Sequence, residues 1–168
     1  DREWAEVDLH PLLEDAWELY QAVGEEKDIA VQLGAATGLL RGDRNLLFQA
    51  LCNLIDNAIK YGASGSQVAI EATETPNGVS ITVADRGPGI PEAERAKVLD
   101  RFYRSANMTG VPGSGLGLSL VNAIARHHGG NLVLSDNSPG LRATLELPRN
   151  FTPGPAPVPV VAFNGVAP

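Results

Sequence analysis

The chain has 168 residues, 43% of them hydrophobic and 20% charged, with a formal net charge of −7; this is the composition of one ordinary globular domain with enough chain to bury a core unaided. A single cysteine, Cys52, excludes an internal disulfide framework and a cysteine zinc site, and His10, His127 and His128 are too few and too badly spaced for a histidine metal cluster. The negative charge argues against a grip on nucleic acid, and no apolar run approaches the length of a membrane span, so no membrane contact is expected of these residues.

There is no starting methionine and no signal-peptide pattern, so the sequence reads as a piece of something longer. Val7, Leu9, Leu12, Leu13, Ala16, Trp17 and Leu19-Tyr20 give the apolar stripe of a helix from about Pro11. Alternation at Ile29, Val31 and Leu33 predicts a strand, and Leu39-Leu40 a second short one. Gly42-Asp43 then offers a turn and an N-cap for the strongest helix, residues 44–61, which Gly62 ends. Val68, Ile70 and Ala72, then Val79, Ile81 and Val83, form two strands joined at Pro76-Asn77-Gly78. Glycine-rich loop follows over 84–115, with a short helix starting at Pro91. Another helix runs from about Ser114 to His128, and two closing strands cover Leu132–Leu134 and Leu141–Leu147. Half-buried strands interleaved with helices predict an α/β two-layer sandwich: a mixed sheet of about five strands with three main helices on one face. Residues 1–148 make that domain. Residues 149–168, uncharged from Phe151 on and rich in proline, read as an extended tail.

Four segments carry candidate chemistry. In the 44–61 helix, Asn53, Asn57 and Lys60 fall within an arc of about 60°, away from the apolar stripe. Asparagine is a poor helix former, so two on one face need a reason; a carboxamide oxygen suits a hard cation such as Mg²⁺ and an ammonium suits phosphate. Asp85-Arg86-Gly87-Pro88-Gly89-Ile90 ends a strand in an acid and a turn where backbone can approach a ligand. A carboxylate there selects a base presenting an amino group, as adenine does. Arg101-Phe102-Tyr103-Arg104 offers aromatic anchors and phosphate-binding guanidinium groups. Gly113-Ser114-Gly115-Leu116-Gly117-Leu118 feeds a helix whose free amides suit phosphate, without the spacing of a dinucleotide fingerprint or a P-loop. Taken singly, each segment also has a plain reading, as solvated surface, turn, packing or helix cap.

In this order and spacing the segments resemble the catalytic ATP-binding domain of sensor histidine kinases, in the ATPase group that includes gyrase, Hsp90 and MutL, over roughly residues 5–148. The resemblance implies the Bergerat-type fold, with ATP and Mg²⁺ as ligands. It implies that Asn57 holds Mg²⁺ and that Asn53 and Lys60 stand near the phosphates in the catalytic step. Tyr61 would stack on adenine and Asp85, with Gly87, Gly89 and Ile90, would read the base. Arg101, Phe102 and Arg104 would belong to the lid, and Gly113, Ser114, Gly115, Leu116, Gly117 and Leu118 would surround the phosphates. Asn53 stands where hydrolysing relatives carry a glutamate base, which favours transfer over hydrolysis. The implied function is transfer of the γ-phosphoryl group to a histidine on a separate dimerisation domain, with a response regulator receiver domain as later partner and a cytoplasmic location. No histidine of this chain has the acceptor's context. The alternatives are an ATP-hydrolysing domain of the gyrase or chaperone type, a degenerate nucleotide-binding scaffold, and a serine or threonine kinase of the anti-sigma type. The last strand also departs from the pattern: Leu141 follows Gly140 where many members have a hydroxyl residue.

Overall fold

The computed structural model describes residues 4–99 and 116–154. Strand β1 (Trp4–Asp8) leads straight into helix α1 (Leu9–Glu26), because the Asp8 side chain accepts from the His10 N–H and caps the helix. The helix therefore starts two residues before Pro11, which sits in the first turn where its missing N–H costs nothing. β1 is absent from the sequence reading: it buries only Val7, so its pattern shows no alternation. It pairs antiparallel with β3 (Leu39–Asp43), Val7 opposite Leu40, as a two-stranded ribbon outside the main sheet.

Among the described residues the main sheet has five strands in the order β2-β4-β5-β7-β6: β2 (Ala30–Ala36), β4 (Gln67–Thr75), β5 (Gly78–Ala84), β6 (Asn131–Asp136) and β7 (Leu141–Pro148). β2 runs parallel to β4 and the other pairs are antiparallel, giving the mixed sheet expected. In register, Ile81 lies between Ala72 and Leu145, and Val83 between Ile70 and Ala143. This face is covered by α1, α2 (Arg44–Tyr61) and α3 (Leu116–His127), which bury Leu12, Leu13, Leu51, Ile55 and Val121 against it. The opposite face presents Glu71, Ser80, Thr82, Thr144 and Glu146; the Thr82 and Thr144 hydroxyls meet across the strands at 3.3 Å. The two-layer sandwich follows from that segregation.

Side chains finish the exposed ends of this frame. Trp17 Nε1 and Gln21 Nε2 both donate to the Val31 carbonyl on edge strand β2, at 3.0 and 2.9 Å, blunting an edge that would otherwise invite pairing. Asp43 caps α2 through the Leu46 N–H, and Lys27 Nζ donates to the carbonyls of Ile59 and Lys60 at its other end. The segment after Pro91 forms a single 3₁₀ turn, Glu92–Glu94, and a second follows at Lys97–Leu99. Behind α3, His128 is fully buried: its Nδ1–H donates to the Ile124 carbonyl and its Nε2 accepts the Asp43 N–H, while Trp4 stacks on the ring at 4.6 Å. The first residues assigned to the tail are tied to the domain. The Arg149 carbonyl accepts from the Arg41 N–H, the Phe151 carbonyl accepts from Trp4 Nε1, and the Phe151 ring lies over Gly129. Among the described residues no helix is long and apolar enough to cross a membrane.

Candidate nucleotide site

A cleft opens where α2, the end of β5, the start of α3 and β7 converge. Helix α2 contributes Leu54, Asn57, Ala58 and Tyr61; β5 and the turn after it contribute Val83, Asp85, Pro88, Gly89 and Ile90. Leu118 from α3 and Leu141 and Ala143 from β7 close the apolar wall. The site thus lies at the carboxyl end of β5, where the sheet stops and helix ends approach.

Asp85 is the acid of this cleft and is 6% exposed. Its Oδ1 accepts both the Gly87 N–H at 2.9 Å and the Leu141 N–H at 3.2 Å. Oδ2 is therefore the oxygen left for a ligand. Burial pushes the carboxyl above the usual carboxylate range, and the two backbone N–H groups pull partly against that. A side-chain hydroxyl after Gly140 is not needed to hold Asp85, because the Leu141 backbone does so. The glycines of the turn are required by close approach: a Cβ on Gly87 would stand 2.0 Å from the Tyr61 carbonyl oxygen, and one on Gly140 would stand 1.9 Å from the Asp85 carbonyl oxygen.

The expected site residues divide into four groups. Asn57, Tyr61, Asp85, Gly89, Ile90 and Leu118 line one cleft. Gly87 lies beneath it against the end of α2, and Gly117 faces the Asn57 carboxamide so closely that a Cβ would be 3.0 Å from Nδ2. Asn53 and Lys60 lie outside the cleft lining; Lys60 Nζ is paired with Asp56 at 3.0 Å on a two-fifths exposed part of the helix. Arg101, Phe102, Arg104, Gly113, Ser114 and Gly115, and the side chain of Leu116, lie outside the described residues. Leu54, Ala58, Val83 and Ala143, buried apolar residues outside the expected set, also line the cleft. Among the described residues no group of three or more acids, histidines or cysteines could hold a metal. A cation here would draw on the neutral oxygen of Asn57 and on its ligand's own oxygens.

The family model for histidine kinase-, DNA gyrase B- and HSP90-like ATPases matches residues 42–150, which span α2 through β7 and hold every cleft residue named above. The chain belongs to that family. Within it the relatives are histidine kinases. A signal transduction histidine-protein kinase/phosphatase, MprB of Mycobacterium sp. (strain KMS), is 42% identical over 147 residues, covering 82% of this chain and 28% of the relative. The structure of a mycobacterial sensor histidine kinase MprB superposes with a TM-score of 0.79 at 32% identity, covering 87% of this chain and 99% of that one. Full-length ShkA in complex with AMPPNP superposes at 0.77 with 28% identity, over 91% of this chain and 32% of that one. The chain is accordingly a histidine kinase catalytic domain of the ATPase family, and it spans just over a quarter of the length of that curated MprB relative.

Proposed function

We propose that this domain binds Mg-ATP and delivers its γ-phosphoryl group to a histidine on a dimerisation domain of the parent protein. The observation that carries the reading is the divided carboxylate of Asp85: one oxygen saturated by backbone, the other left to a cleft with apolar walls. An ionised acceptor there favours the adenine amino group and repels the guanine carbonyl. Tyr61 and Ile90 flank the base; Leu54, Val83 and Ala143 line the same slot and help keep it dry.

The phosphates would extend from this slot toward Asn57 and the start of α3, where the first-turn N–H groups favour anions. The residues fit Mg²⁺: the Asn57 carboxamide, held beside Gly117, is a neutral oxygen donor, and the ion would supply charge neutralisation of the β and γ oxygens. Lys60 reaches phosphate by exchanging its Asp56 partner. Arg101, Phe102 and Arg104 belong to the proposed lid, and Gly113, Ser114, Gly115 and Leu116 to the phosphate loop. In transfer, an imidazole nitrogen of the acceptor forms a bond to the γ-phosphorus as the bond to the β–γ bridging oxygen breaks, and ADP leaves. Asn53 carries no basic group to activate water, which supports transfer over hydrolysis. A receiver domain would take the phosphoryl group onward, and ATP as substrate supports work in the cytoplasm.

The test restores the parent's upstream segment and follows radiolabel from γ-labelled ATP. Acid-labile, base-stable label on a histidine, lost in Asn57→Ala, is expected. Steady hydrolysis by this domain alone, without labelled protein, would overturn the transfer reading.

A further inference from the structure

The turn between β6 and β7, residues 137–140, makes a set of contacts that the sequence motifs do not include. Asp85 is the first residue beyond β5, so the sheet ladder ends one residue short of it, at Ala84 opposite Arg142. Beyond the ladder, Asp85 is held by that turn and by Leu141, the first residue of β7. Asn137 Nδ2 donates to the Asp85 carbonyl at 2.6 Å, and Asn137 Oδ1 accepts from Arg142 Nη2 at 3.2 Å. A carbonyl on one side and a guanidinium on the other fix which end of the carboxamide faces which. Arg86 Nη1, from the residue after Asp85, donates back to the Asn137 carbonyl at 2.9 Å. The Asp85 N–H donates to the Leu141 carbonyl at 2.9 Å, and Gly140 lies directly against the Asp85 carbonyl. The peptide carrying the carboxylate is therefore clamped from both sides by residues more than fifty positions downstream.

We propose that Asn137 is a positioning residue for base selection: its carboxamide locks the Asp85 main chain so that the free carboxylate oxygen points at the exocyclic amino group of the base. This rests on the reading of Asp85 as the base-reading group. Hydrogen-bond strength falls steeply with angle and distance, so a carboxylate whose main chain shifts loses discrimination before the cleft loses its capacity to bind a purine.

The test titrates the domain with ATP and with purine riboside 5′-triphosphate, which is ATP without the amino group. Wild type, Asn137→Ala, Asn137→Asp and Asp85→Asn are compared. Asn137→Asp keeps the acceptor for Arg142 but sets an oxygen against the Asp85 carbonyl. Both Asn137 variants are expected to bind ATP about tenfold more weakly while binding of the amino-free triphosphate changes less than about twofold, so the preference collapses. Equal weakening toward both ligands would show a structural role only and overturn the proposal. So would a preference kept at the wild-type ratio. If wild type shows no preference and Asp85→Asn changes nothing, the Asp85 reading itself fails, and the Asn137 role with it.

Discussion

Replacing Asp85 by Asn separates function from stability, because the two move in opposite directions. The amide oxygen can still accept the Gly87 and Leu141 N–H groups that Oδ1 accepts now. The amide nitrogen then occupies the position of the free Oδ2, which in the proposed binding mode sets a donor against the amino donor of adenine. Loss of a hydrogen bond to a charged acceptor is worth about 1.5–3 kcal/mol, or roughly 10- to 100-fold in ATP affinity. A donor at that position suits a base with a carbonyl there, so inosine triphosphate binding should strengthen in the variant. For stability, burial raises the folded-state pKa of Asp85, so ionisation at neutral pH works against the fold, and the neutral amide removes that cost. The variant should melt at the same temperature as wild type or higher. In wild type the same shift makes ATP binding fall as pH drops, starting above the range of an ordinary carboxylate near 3.9. Calorimetric titration and thermal unfolding decide it. Unchanged ATP affinity, or a loss equal for both triphosphates with a lowered melting temperature, would refute the reasoning.

Three further outcomes follow from the same geometry. Gly87→Ala puts a Cβ 2.0 Å from the Tyr61 carbonyl oxygen, a backbone atom that cannot move cheaply, so urea denaturation should show a loss of about 1–3 kcal/mol and titration a weakened nucleotide site. Asn57→Ala should leave ATP affinity without Mg²⁺ nearly intact and abolish the gain on adding Mg²⁺, read by titration with and without the metal. His128→Phe leaves the Asp43 N–H without its acceptor, a cost of about 1–3 kcal/mol at pH 8 in urea melts. Burial chiefly lowers the His128 pKa, with its backbone bond to Ile124, neighbouring His127 and Asp43 as smaller influences. The unfolded chain therefore takes up a proton below about pH 6.5 that the folded chain refuses, so wild-type stability falls with pH there. The variant's pH profile should be flatter.

Strand and helix identities follow from local pattern wherever one face is buried and the other is not. The stripe of α2 and the alternation of β4 and β7 are written in adjacent residues, and α2 runs over the predicted residues 44–61, because its Asp43 cap and closing Gly62 are local signals. The order of motifs places Asn57, Asp85 and Gly117 in one family of sites for the same reason: each motif is short and set by its own backbone needs. Pairing across the chain is not local. β1 shows one buried side chain and exists because β3 supplies its partner, and Arg149 and Phe151 join the domain because Arg41 and Trp4 receive them. The double use of Leu54, Val83 and Ala143, apolar for the core and equally for the wall of the cleft, is decided only when α2, β5 and β7 meet. The grip of Asn137 on Asp85 joins two turns 52 residues apart that the β5–β7 and β6–β7 pairings bring side by side. Periodicity fixes which face of an element is buried. What that face is buried against is settled by strand order, and strand order is a property of the folded sheet.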